Sequence, residues 1–456
     1  MSKYVEVVKS LFQKFFNQGH ERSIKAKKNI LGLLLLKGGS IAIGFFLVPL
    51  TINYINPTRY GIWLTLSSIV AWLSYFDIGF GHGLRNKFAE ALAKGEVKEA
   101  KIYVSTTYFS LSAIMAVILV LFFIINPFLN WSDILNSPST MEAELSTLAL
   151  MVFVFFCLQF VFQLITTVIT ANHEPAKASL LHLIGSLISL IIIYILTKTT
   201  SGNLLYLGGV LSATPVIVMF VAGVWFFNSS YKKFAPSIRF FRFKYVKQLM
   251  NLGAQFFIIN ISVLLMLSTD NIVITQLLGP EKVTVFNVTY KLFTMVSMIY
   301  MLIITPLWSA YTDAYTKGDY DWIKKTLKMT QKVWIALSGF TLVLLFISPW
   351  FFKLWLGDKV SVPFSLSLAM STYVIGYIWL NIYTFLLNGL GKIRLQLYVS
   401  LVASILYIPL VIYLGKIWGL IGITLISTFF FVITGAIYAI QVKKLINKSA
   451  LGIWNK

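Results

Sequence analysis

Residues 30–81 read ILGLLLLKGGSIAIGFFLVPLTINYI, then NPTR, then YGIWLTLSSIVAWLSYFDIGFG. Two apolar runs meet at a short Pro turn, and each is long enough to cross hydrocarbon, which takes roughly 20 residues as helix. The hairpin has a counterpart 223 residues on. Asn56-Pro57-Thr58-Arg59 aligns with Gly279-Pro280-Glu281-Lys282. At the same offset Glu90-Ala91 falls on Asp313-Ala314, and Lys94-Gly95-Glu96 on Lys317-Gly318-Asp319. Several matches at one offset, each at the same station along the chain, indicate an internal duplication.

Working outward from the hairpin, apolar runs predict spans at about 30–55, 60–81, 103–127, 145–170, 176–197, 204–228, 247–278, 283–312, 329–350, 363–388, 395–414 and 418–442. Composition agrees. Charged residues are 12% of the 456 and the mean hydropathy is +0.80, where a soluble chain carries about a quarter charged residues. The predicted fold is therefore an all-α integral membrane protein of about twelve transmembrane helices in two six-helix bundles. Because one repeat holds six spans, the copies have parallel orientation and their axis runs along the membrane normal. The expected layout is an amphipathic segment over 1–29, bundles over 30–228 and 247–442, a basic linker over 229–246 and a basic tail over 443–456.

A net charge of +22 raises the possibility of nucleic acid, so its distribution has to decide. Thirty Lys and Arg fall on alternate loops and the termini, six fall on the other loops, and Lys37 and Lys291 lie inside spans. By the positive-inside rule this places both termini in the cytoplasm, and no nucleic acid is needed to explain the excess. The basic loops also suit anionic membrane lipids as partners. In the N-terminal segment Val5, Val8, Leu11, Phe12, Phe15 and Phe16 recur at helical spacing between Lys9 and Lys14, as in a helix lying on the inner leaflet. One Cys (Cys157) and four scattered His give neither a disulfide nor a metal site.

Charges at membrane depth mark the candidate pathway, because a charge near the bilayer centre costs about 2.5–3.5 kcal/mol and needs a cavity or a partner. At ~1.5 Å per helical residue, Lys37 and Asp77 both lie roughly 30 Å from the first Pro turn. Asp270 and Lys291 both lie roughly 16 Å from the second, near mid-membrane. Asp270 and Lys291 are expected to line a cavity and to pair in its empty state; a structural ion pair locking two helices is the competing reading. Lys37 can snorkel to the interface, and Asp77 can be a solvated interfacial acid. At the repeat offset Asp270 and Lys291 correspond to Leu47 and Ser68, so only the second copy carries the pair. Pro49, Pro215, Pro306 and Pro409 fall within spans as candidate kinks.

From Tyr60 to Glu96 the chain carries Tyr60-Gly61 with Trp63, Asp77-x-Gly79-x-Gly81, Leu84-Arg85-Asn86, Ala89-Glu90-Ala91 and the Lys94-Gly95-Glu96 turn. This stretch resembles the N-terminal signature of O-antigen-type polysaccharide-repeat flippases in the multidrug/oligosaccharidyl-lipid/polysaccharide exporter superfamily. The resemblance implies a MATE-like fold, a place in the bacterial inner membrane, and no catalysis. Its implied task is to move an undecaprenyl-diphosphate-linked oligosaccharide from the cytoplasmic to the outer leaflet by alternating access, for O-antigen, capsule or exopolysaccharide assembly. Lys37, Arg85 and Lys291 are then candidate cations for the diphosphate. Asp77 and Asp270 are further cavity candidates, with Asp270 the group to bind a coupling H+ or Na+. No other cofactor is implied, and polymerase and chain-length machinery would be partners. Two alternatives stay open. A cation-coupled multidrug antiporter of the same superfamily would hold an acid in the first helix of a half; here the first span of the first half has Lys37, which counts against it, and that of the second carries Asp270. A polytopic polymerase or ligase would use the outer loop near 128–144, with Asp133, Glu142 and Glu144.

Overall fold

The computed structural model describes residues 21–72, 80–172, 174–250, 269–305 and 307–455. Asp77, Pro306 and the first twenty residues of the predicted amphipathic segment lie outside them. Every regular element among the described residues is helical, as lipid demands of a chain whose backbone polar groups must be satisfied internally. We number them α1 (Glu21–Ile55), α2 (Pro57–Trp72), α3 (Phe80–Ala93), α4 (Val97–Ile125), α5 (Trp131–Ile134), α6 (Glu142–Phe162), α7 (Leu164–Ala171), α8 (Pro175–Thr199), α9 (Leu204–Asn228) and α10 (Lys244–Met250). After these come α11 (Asp270–Leu278), α12 (Pro280–Ile304), α13 (Leu307–Thr316), α14 (Tyr320–Leu356), α15 (Phe364–Leu390) and α16 (Arg394–Ile446).

Nine of the described helical stretches are long and apolar enough to cross a membrane. One of them, α16, has 53 residues and would measure roughly 80 Å, more than two hydrocarbon widths. It breaks at Gly419 (φ 59°, ψ −138°), next to the predicted boundary between the spans 395–414 and 418–442. The predicted spans 60–81 and 247–278 run into residues outside the described set. Elsewhere the helices outlast the apolar runs. The loop predicted between the spans 283–312 and 329–350 shrinks to a turn at Lys317-Gly318-Asp319, because α13 ends at Thr316 and α14 begins at Tyr320.

The repeat is written into the backbone as well. α1 ends at Asn56 (φ 73°) before Pro57, and α11 ends at Gly279 (φ 90°) before Pro280. Gly95 (φ 75°) precedes α4 by two residues, as Gly318 (φ 72°) precedes α14. Both pairs stand at the 223-residue offset, and in each the left-handed residue ends one helix so that the next can start.

The chain forms two compact units that do not follow sequence order. The first holds residues 1–54, 77–129 and 144–254. Its linker is docked, not slack. Ser237 N–H donates to Ser105 Oγ (3.1 Å), and Arg242 N–H to Thr106 Oγ1 (3.2 Å). Tyr231 donates to Glu174 Oε2 (2.7 Å) and accepts from Asn172 (3.2 Å). The Lys101 ammonium lies 4.8 Å from the Phe240 ring centroid. Burial and then the Glu174 bond push the Tyr231 hydroxyl up to about 12.

The second unit holds residues 55–76, 130–143 and 255–456. Here α2 crosses α12 with repeat-related contacts. Thr284 Oγ1 donates to Pro57 O (2.6 Å), and Gly61, the repeat counterpart of Thr284, sits on Pro280 O, the counterpart of Pro57 O. A Cβ on Gly61 would fall 1.7 Å from that oxygen. The fully buried Ile62, Leu66, Val283 and Phe293 belong to this crossing pair of helices.

Candidate functional site

α11 places Asp270 at its first residue, where the side chain is 5% exposed. Tyr407 of α16 donates to Asp270 Oδ1 at 2.5 Å, and the Tyr407 hydroxyl also meets Ser427 Oγ of the same helix at 2.8 Å. The break at Gly419 turns α16 back on itself, which lets Ser427 on one arm meet the Tyr407 hydroxyl on the other while Tyr407 donates to the acid. One residue earlier, Thr269 Oγ1 is buried with no hydrogen-bond partner among the described residues. Beside the acid stands an aromatic wall. Tyr290 and Tyr373 lie within electrostatic reach of its carboxyl, and the Tyr290–Tyr373 (5.9 Å) and Tyr373–Phe431 (5.0 Å) rings meet edge-on.

A second polar string runs along α11. Asn271 Nδ2 donates to Ser68 Oγ of α2 (2.6 Å), and Asn287 Nδ2 of α12 donates to Asn271 Oδ1 (2.8 Å). One turn on, the buried hydroxyls of Thr65 and Thr275 meet at 2.6 Å. Buried amides and hydroxyls in hydrocarbon-facing protein are costly unless bonded, and these are bonded to one another.

The expected pairing of Asp270 with Lys291 is not made. The acid's hydrogen-bond donor is Tyr407, and no ion pair joins the two residues among the described contacts. Counting residues from a turn gives height along a helix but not azimuth, so equal depth does not bring two side chains together. Lys291 is half-buried on α12, while Lys37 on α1 and Arg85 on α3 are exposed. Lys37 and Arg85 belong to the first unit, Asp270 and Lys291 to the second. Sequence reading missed Tyr407 and Ser427, which are unremarkable positions in a long apolar run. Asn271 and Asn287 carried a signal as amides inside predicted spans, but one shared with Asn251, Gln255 and Asn260.

Two of the three outer-loop acids proposed for an enzyme have structural work. Glu142 accepts from the Trp131 N–H (3.0 Å) and the Ser132 N–H (2.6 Å). Asp133 accepts from Asn130 Nδ2 (2.6 Å).

Comparison with known proteins bears on the family and the fold. The sequence model of a family described as "Polysaccharide biosynthesis protein" matches residues 26–312, and the MatE model matches residues 256–413. A protein of Yersinia pseudotuberculosis named for O-antigen export is 21% identical over 397 residues, covering 84% of this chain and 88% of its own. A protein of Salmonella typhimurium named as an O-antigen transporter is 22% identical over 389 residues, covering 82% and 84%. Among solved structures, an inward-facing multidrug resistance MATE family transporter of the MOP superfamily superposes with a TM-score of 0.73 at 13% identity, covering 90% of this chain and 95% of that one. An outward-facing MATE family transporter superposes with a TM-score of 0.61 at 13% identity, covering 93% and 97%. The structural likenesses establish a MATE-like fold, and with the match over residues 26–312 the chain belongs to the polysaccharide biosynthesis protein family.

Proposed function

We propose that the protein is a flippase that carries an undecaprenyl-diphosphate-linked oligosaccharide repeat unit from the cytoplasmic to the outer leaflet of the bacterial inner membrane. The observation that carries this reading is similarity along most of the chain to relatives named for O-antigen export and transport. Physics gives the task its need: a sugar diphosphate cannot cross hydrocarbon unaided, whereas a cation-bearing cavity shelters it while the lipid tail stays in the bilayer. Lys37, Arg85 and Lys291 are the cations assigned to the diphosphate, and Asp77 is a further cavity residue. The bundles 30–228 and 247–442 are the rocking bodies, joined by the basic linker. The loop charge asymmetry supports cytoplasmic termini. The product feeds polysaccharide polymerase and chain-length machinery. No bond in the substrate is made or broken.

Asp270 is assigned the coupling ion, H+ or Na+. A buried carboxyl with the Tyr407 donor and the unpartnered Thr269 hydroxyl beside it suits a monovalent cation or proton. The same feature favours a second reading, cation-coupled multidrug antiport, as does the MatE match over 256–413. One experiment separates them: protein in vesicles with lipid-linked oligosaccharide, scored by leaflet-resolved access of the sugar. The flippase reading expects protein-dependent movement that Lys291→Ala and Asp270→Asn reduce at least tenfold. Absence of movement in well-folded protein, together with gradient-driven drug uptake, would sink it.

A further inference from the structure

By the 223-residue repeat, residues 55–76 and 130–143 belong to the first half of the chain, yet both are packed with the second. We propose that they form a releasable latch. It holds α2 and the α4–α6 loop against α11 and α12, and it must part before the pathway can open on the side of the two Pro turns. The proposal rests on the transport reading for its purpose, but not for its geometry.

The loop is preformed. Asn130 Oδ1 accepts from the Asp133 N–H (3.2 Å) and from Ser132 Oγ (2.7 Å), and the Glu142 carboxylate ties down two further backbone N–H groups. Asn136 takes a left-handed conformation (φ 46°), which short polar side chains tolerate best after glycine. Its side chain reaches away from its own loop: Asn136 Nδ2 donates to Thr275 O of α11 at 2.9 Å. In return Gln276 Nε2 of α11 donates to Asp133 O and Ile134 O, both at 2.8 Å. These three bonds join the loop to α11 within the second unit, through exposed or half-exposed amides. Water can replace each partner when the loop lifts away, so it can let go without stranding a buried donor.

Behind this wet clasp lies a drier one. The Thr65–Thr275 hydroxyl pair, the Ser68–Asn271–Asn287 string and the Thr284–Pro57 bond join the same elements. α11 is the common member. Its nine residues carry Asp270 at one end and the clasp residues Thr275 and Gln276 at the other. A charge change at Asp270 therefore acts on the helix that the latch grips, which is how a bound ion would bias a two-state element.

Impermeant-maleimide labelling of Thr65→Cys in a Cys157→Ser background tests this in membranes with the Pro-turn side accessible. Thr65 is fully buried while the latch is closed. Adding Asn136→Ala and Gln276→Ala should raise the labelling rate at least tenfold, each lost bond being worth about three- to tenfold. The second arm oxidises a Thr65→Cys/Thr275→Cys pair, which leaves the wet clasp intact; cross-linked protein should stop flipping lipid-linked oligosaccharide and regain it on reduction. An unchanged labelling rate in monodisperse protein, or full transport by the cross-linked form, overturns the latch. Labelling needs no substrate, so it reads the latch even where the flippase reading fails.

Discussion

Tyr407 gives Asp270 its hydrogen bond, and the acid is too deeply buried to find a replacement in water. Tyr407→Phe should destabilise the protein by about 1–3 kcal/mol, visible as a lowered melting temperature in detergent, and Ser427→Ala by less, since it leaves the acid bonded. Gly61 makes a sharper case. With Pro280 O 1.7 Å from where its Cβ would stand, Gly61→Ala must push α2 and α12 apart, at about 1–3 kcal/mol or more. Gly339, in the middle of α14, has nothing within 4 Å of its missing Cβ. Gly339→Ala should be neutral or mildly stabilising, and melting curves of the two variants make the comparison. At this scale the sequence showed which residues were costly, but not whom they would meet. Asp270 and Lys291 stand out as charges in apolar runs. Tyr407 looks like any tyrosine in a long apolar run until the fold brings it to the acid.

Elements were easier to read, because a run of twenty apolar residues announces a span whatever packs beside it. Two of their joints carry consequences. Gly419 holds φ 59° and ψ −138° inside α16, a conformation closed to residues with a Cβ except at about 1–3 kcal/mol of strain. Gly419→Ala should therefore lower the melting temperature and disturb the alignment of Tyr407 with Ser427. The linker is the other joint. Composition marked it as basic, which says nothing of the hydroxyls of Ser105 and Thr106 that cap its backbone. Tyr231, raised to about 12 by burial and by donating to Glu174, stabilises the docked linker as a neutral phenol. Its folded value lies above the ordinary one near 10, so that contribution is complete below pH 10 and is lost as pH rises toward 12. Difference titration of tyrosinate absorbance against Tyr231→Phe should reveal one group ionising near 12. Ionisation near 10 would mean that the linker is undocked.

At the scale of the whole chain, the duplication was read from matched Pro and Gly turns, and the positive-φ residues at 56, 279, 95 and 318 fall at the same 223-residue offset. What stayed hidden was the grouping of segments. Helices that are apolar on every face carry no stripe to say which neighbour they want, so nothing in 55–76 or 130–143 revealed that they would settle on α11–α16.

That exchange has a consequence for the order of synthesis. When residues 1–250 have been made, the Thr65 and Ser68 hydroxyls can bond to the Gly61 and Leu64 carbonyls of their own helix, but their partners Thr275 and Asn271 have not yet been translated. The nascent protein must wait with α2 unpaired, much as a long-range strand pair must wait for its mate. A fragment ending at residue 250 should be degraded rapidly in cells, and co-expression of residues 251–456 should rescue its half-life, measured by pulse-chase. A fragment that proved stable alone would show that α2 finds other company in the bilayer first. For this chain, the half translated last completes the packing of the first.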